Sequence, residues 1–98
     1  MRDESWKLAM YYAVVDSVDL IIKRIDKCNT ANDMLLVDEA YATLDDFVRL
    51  LAARLYDEGY NVTERDLLWK MDQKKDEYLT AFGMKEYDLL EKKNDNGA

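Results

Sequence analysis

Histidine and proline are absent from this 98-residue chain, cysteine occurs once, and glycine occurs three times, at Gly59, Gly83 and Gly97. Without histidine the chain lacks the commonest general base, the commonest transition-metal ligand and the side chain that titrates nearest neutrality. A single cysteine, Cys28, excludes an internal disulfide and a thiolate zinc cluster, and the expectation is a reducing, cytoplasmic compartment. Sheet proteins of this length need many turns, and turns draw on glycine and proline, so their scarcity implies few turns and long elements. No apolar run is long enough to cross a membrane, and the first residues lack the basic-then-apolar pattern of a secretion signal, so no membrane partner is expected. Asn61-Val62-Thr63 matches a glycosylation acceptor, but no secretion signal gives it meaning. Glycine-rich phosphate loops, serine elbows, calcium loops and zinc patterns are also missing, and a ferritin-like di-iron site would need Glu-x-x-His.

Charge and apolar content are what the chain has. Acidic residues outnumber basic ones by 21 to 14, a formal charge of -7, so phosphate backbones repel the chain and no direct nucleic-acid binding is expected. The acids are interleaved with Lys and Arg, unlike the continuous anionic stripe of a nucleic-acid mimic. Hydrophobic residues make up 49%, a globular composition, and the length suits one domain with a small core.

Periodicity predicts an all-α fold: a small bundle of three long amphipathic helices plus a short C-terminal helix. A first helix from Asp3 or Ser5 to about Cys28 carries Tyr11, Val14, Val18, Ile21, Ile25 and Cys28 at alternating spacings of three and four. Asp16, Asp19, Lys23 and Asp26 take its opposite face, with Asp19 and Lys23 forming an i,i+4 pair. Residues 29–32 form a loop in which Thr30 or Asn32 caps a second helix running to about Glu58. Val37, Tyr41, Leu44, Val48, Leu51 and Leu55 make its seam. Leu36, Ala40, Phe47 and Leu50 extend its apolar surface so far that it is expected to be the central helix of the fold or of a dimer. Gly59 stands at the helix end, and Thr63 with Asp66 opens a third helix, with Val62 and Leu67 as a hydrophobic staple. That helix carries Leu67, Leu68, Met71, Tyr78, Leu79 and Phe82 on one side, while its polar middle, residues 72–76, is expected to project from the core. Gly83 ends or bends it, Met84 to Lys93 makes the short last helix, and residues 94–98 form a disordered tail behind a single domain spanning 1–93.

No side chain is assigned a catalytic role. Cys28 closes an apolar seam and has no base to activate it, so it reads as a small buried hydrophobe despite its neighbour Lys27. Trp6, Tyr12, Tyr56, Tyr60, Trp69 and Tyr87 fall at the edges of the seams or off them, and with Leu50 they are the candidate interface residues. Carboxylates one turn apart on a helix, such as Asp16 and Asp19, can hold magnesium; they equally suit a solvated face.

The stretch from Thr43 to Gly59, Thr-Leu-Asp-Asp-Phe-Val-Arg-Leu-Leu-Ala-Ala-Arg-Leu-Tyr-Asp-Glu-Gly, with the helix that follows to Tyr78, resembles all-α nucleotide pyrophosphohydrolases of MazG type. In that family an E-x-x-D motif opens an apolar helix that ends at a glycine. The resemblance implies a magnesium site of Asp16, Asp19, Glu39 and Asp46, with Lys70 or Lys74 meeting phosphate and a metal-activated water releasing pyrophosphate. The motifs are degenerate. Asp16 and Asp19 stand where the family has glutamates, and Thr43 replaces the first glutamate of the second motif.

The composition itself points to a non-enzymatic reading. On it, the chain is a small acidic interaction module that binds and modulates another protein, as regulators, inhibitors and immunity-type proteins do. It needs no cofactor, and the breadth of the second helix's apolar surface leads to the expectation of a homodimer.

Overall fold

Three α-helices and two short loops account for the computed structural model, which describes the backbone of residues 5–97 and the side chains of residues 5–92. The helices are α1 (Ser5–Ile25), α2 (Ala31–Asp57) and α3 (Glu64–Gly97). Among the described residues there is no strand. The candidate start at Asp3 lies outside the described residues.

Each boundary has a local cause. Thr30 accepts the Asp33 backbone N–H at 3.1 Å while the Asp33 carboxylate accepts the backbone N–H groups of Thr30 and Asn29, closing a capping box at the start of α2. Thr63 and Asp66 repeat the exchange before α3. Val62 and Leu67, on either side of that cap, are both fully buried. At the end of α2, Gly59 takes φ +87°, the left-handed conformation that favours glycine. Its N–H reaches the Tyr56 carbonyl, and the Tyr60 N–H reaches the Leu55 carbonyl, the paired bonds of a Schellman ending.

The bundle runs up, down, up. Lys70 lies over the Tyr11 ring, Lys74 pairs with Asp19, and Lys85 donates to the Asp26 carbonyl, so α1 and α3 run in the same direction. Arg49 with Glu64, and Tyr41 stacked on Tyr78, set α2 antiparallel to α3. The result is a rod with extents of 67 × 19 × 17 Å. Its core joins Val14, Val18 and Ile25 of α1, Met34, Val37, Val48 and Ala52 of α2, and Leu67, Met71 and Tyr78 of α3, with Cys28 and Val62 from the loops. These include the centres of the seams expected from periodicity.

Five expectations change. The separate fourth helix does not exist, because α3 runs unbroken through Gly83. A single exposed glycine costs a helix only about 1 kcal/mol, and Ala81, Phe82 and Leu89 pack against the core on both sides of it. Residues 94–97 belong to the same helix and not to a tail, while Ala98 lies outside the described residues. Asp19 pairs with Lys74 across helices at 3.0 Å instead of with Lys23 along its own. That pairing also holds the polar middle of α3 against α1: Lys74 is partly buried, and its ammonium reaches Asp19 and Glu77. Finally, within the single chain α3 and not α2 is the central helix, being the one most extensively packed against both others.

The two glycines give opposite predictions. A methyl group at Gly83 meets nothing within 4 Å, so Gly83→Ala stabilises the protein by roughly 0.5–1 kcal/mol. Gly59→Ala destabilises it by about 1–2 kcal/mol, because φ +87° strains an L-residue. Urea unfolding followed by circular dichroism checks both signs. Thr63→Ala, which removes a cap, costs about 1 kcal/mol in the same assay.

Candidate functional site

The three helices satisfy their inward faces on each other and leave two apolar surfaces open. The first lies on α2. Leu36, Ala40, Thr43, Phe47 and Leu50 recur at spacings of four and three, roughly a quarter-turn from the buried Val37–Val48 face at about 100° per residue. Neither α1 nor α3 covers them: Leu36 is 55%, Phe47 57% and Leu50 71% exposed.

The second is a groove of about 790 Å³ where the N-terminal turns of α2 run beside the C-terminal turns of α3. Met34, Phe82 and Leu89 form its floor, and Leu35 and Leu90, both more than half exposed, form its walls. Asp38 and Glu86 project from opposite walls near the Phe82 end, and Lys92 stands toward the loop end beside Asn29 and Thr30. Asp38 accepts the Tyr78 hydroxyl at 3.2 Å. The ring of Tyr78 is stacked on Tyr41 at 4.0 Å with an interplanar angle of 5°. Burial, and then the Asp38 charge, push the Tyr78 hydroxyl's ionisation well above the ordinary phenol range. Burial with Asp45 and Asp72 raises Tyr41 in the same sense.

The interface candidates divide. Tyr12, Leu50, Tyr56, Tyr60, Trp69 and Tyr87 are exposed. Trp6 is not a free anchor: it is half-buried against the core and meets the Tyr60 ring edge-on at 5.2 Å. It lies there because α1 begins beside the α2–α3 loop, which closes that end of the bundle. Lys70 lies 4.7 Å above Trp69 as well as over Tyr11, joining α1 to α3 on the surface. Leu35 and Leu90 were not among the candidates. Each stands off its own helix's seam, and only the juxtaposition of α2 and α3 makes them one groove.

The four carboxylates of the pyrophosphohydrolase resemblance are not gathered into one site. Asp16, Glu39 and Asp46 are exposed, Asp19 is engaged by Lys74, and among the described residues no group of three or more His, Cys, Asp or Glu is placed to hold a metal ion. Of the lysines assigned to phosphate, Lys70 lies over two aromatic rings and Lys74 bridges two carboxylates. Cys28 is buried and bonded to the Arg24 carbonyl, and burial followed by the Asp33 charge raises its pKa, against the influence of Lys85. The resulting environment suppresses the thiolate. Comparison of the chain with protein-family models, with curated proteins and with solved structures gives no match.

A raised tyrosine pKa means that the folded state favours the neutral phenol. The stability from burying Tyr41 and Tyr78 is therefore intact below the ordinary value of 10.0 and is lost as pH rises above it. Ultraviolet titration through the alkaline range, run beside circular dichroism, checks this. Tyr41 and Tyr78 should ionise only together with loss of helicity, and Tyr78→Phe should move that loss to higher pH.

Proposed function

We propose that this chain is a small acidic, non-enzymatic interaction module that binds another protein and modulates it. The observation that carries this reading is the stripe on α2: five positions at helix-seam spacing, with its three largest side chains more than half in water. A small domain seldom keeps an aligned apolar face exposed unless something covers it. The catalytic side supplies no competing observation, because the carboxylates stand apart and the cysteine is shielded.

The stripe also suits self-association. In an antiparallel crossing of two α2 helices centred near residue 45, Phe47 of one copy lies across from Thr43 of the other and Leu50 across from Ala40, so large side chains meet small ones. Arg54 then approaches the partner copy's Glu39. Burying the exposed parts of Leu36, Phe47 and Leu50 on both copies contributes roughly 6–9 kcal/mol, against an association cost of roughly 4–15 kcal/mol. Such a dimer is weak and concentration-dependent, and a heterologous partner with a larger face displaces it.

Light scattering and affinity capture test this together. The wild-type protein should rise in mass above 11.5 kDa as concentration increases and should capture a partner from its native host. Phe47→Lys with Leu50→Lys should stay monomeric and lose any partner held by the stripe while keeping its helicity. A strictly monomeric wild type that captures nothing overturns the reading. So does magnesium-dependent pyrophosphate release from nucleoside triphosphates that disappears in Asp46→Ala.

A further inference from the structure

Three helices packed up, down, up leave an open slot between the second and third, and here that slot deepens into the groove at one end. Residues 31–38 of α2 and 82–92 of α3 line it, spans of roughly 10 and 15 Å at about 1.5 Å per residue. A slot of that length between two antiparallel helices matches two to three turns of another helix, the fourth position of a four-helix bundle. Its floor is apolar and adaptable, with the thioether of Met34 beside Phe82 and Leu89. Leu35 and Leu90, both more than half exposed, offer apolar walls to the side chains at i, i+3/i+4 and i+7 of an amphipathic partner.

Charge selects among such partners. Asp38 and Glu86 face the slot from its two sides, and neither takes part in any ion pair among the described residues. The same α2–α3 face continues through Asp45, Asp72 and Glu64. There Arg49 is already engaged by Asp45 and Glu64, and Asp45 and Asp72 both act on Tyr41. Among the described residues Lys92 is the one cation lining the groove, and it stands at the opposite end from Asp38. With a net charge of -7 on the whole chain, an anionic helix is repelled and a cationic one is steered inward.

We infer that the groove between the start of α2 and the end of α3 binds an amphipathic helix of a partner protein, apolar face inward. The partner's lysines or arginines sit over Asp38 and Glu86 at the Phe82 end, and its uncharged or acidic end lies near Lys92. This inference rests on the interaction-module reading and names the partner's chemistry at a face separate from the α2 stripe.

The test uses the full-length protein and two labelled, designed helical peptides of about four turns. Both carry the same leucine stripe; one is flanked by Lys and Arg, the other by Glu. Fluorescence anisotropy should show the cationic peptide binding at least about tenfold more tightly, with the difference shrinking as salt is added. Leu35→Ser with Leu90→Ser changes only exposed positions, so the fold is retained by circular dichroism, and it should abolish binding. Asp38→Asn with Glu86→Gln should keep apolar binding and erase the preference between peptides. Equal binding of both peptides overturns the inference, as does binding of neither or binding that survives Leu35→Ser with Leu90→Ser. A wild-type dimer dissolved by Leu90→Ser overturns it too, because the groove would then hold a second copy. If the peptides are ignored while Phe47→Lys with Leu50→Lys still removes a captured partner, the groove assignment fails and the interaction-module reading stands.

Discussion

Leu67, Met71 and Tyr78 fall at intervals of four and seven along α3, and the inward faces of α1 and α2 shut all three away from water. That apolar seam is the constraint on which the other features depend. It sets the two shorter helices on one side of α3, fixes their directions, and determines which side chains are left outside. Among the described residues no charged side chain is buried, and no buried side-chain nitrogen or oxygen lacks a hydrogen-bond partner. The polar edge of the core is the Tyr41–Tyr78 stack, whose Tyr78 hydroxyl reaches Asp38. Burying the rings keeps their apolar area, and the hydroxyl at the edge finds its partner at the surface.

Charged groups trim the rod more than they hold it together. The pairs Arg49–Glu64 and Lys74–Asp19 cross between helices, but all four side chains keep substantial solvent exposure. Exposed pairs of this kind contribute about 0–1 kcal/mol each. Their value lies in register. Lys74 stands at a seam position where an apolar residue would be expected, and its ammonium reaches Asp19 and Glu77. The cost of one seam without oil is small when the turns on either side, around Met71 and Tyr78, are fully buried.

A bundle of three helices cannot cover every apolar stripe that its sequence carries. α1 and α2 each present a face to α3, but α2 carries a second stripe about a quarter-turn away, and the geometry of three rods places nothing over it. The groove has a different origin. α3 is longer than its neighbours, and its C-terminal turns run beside the α1–α2 loop and the first turns of α2, leaving a slot there. The two open faces thus follow from one mismatch each, in apolar breadth on α2 and in length on α3.

The residues alone determined the helices, their seams and their caps, since hydrophobic spacing and the Thr30–Asp33 and Thr63–Asp66 boxes act within a few positions of the chain. They also excluded the chemistry that needs a histidine or a pair of cysteines. Tertiary packing decided what depends on distance in space: that α3 passes straight through Gly83, that Asp19 prefers Lys74 to its own-helix neighbour, and that Trp6 is tucked against Tyr60. It also decided that the carboxylates stay apart while Leu35 and Leu90 come together. Local periodicity tells which side of a helix is oily, but two faces on different helices become one surface only when a shared core sets their rotation and register.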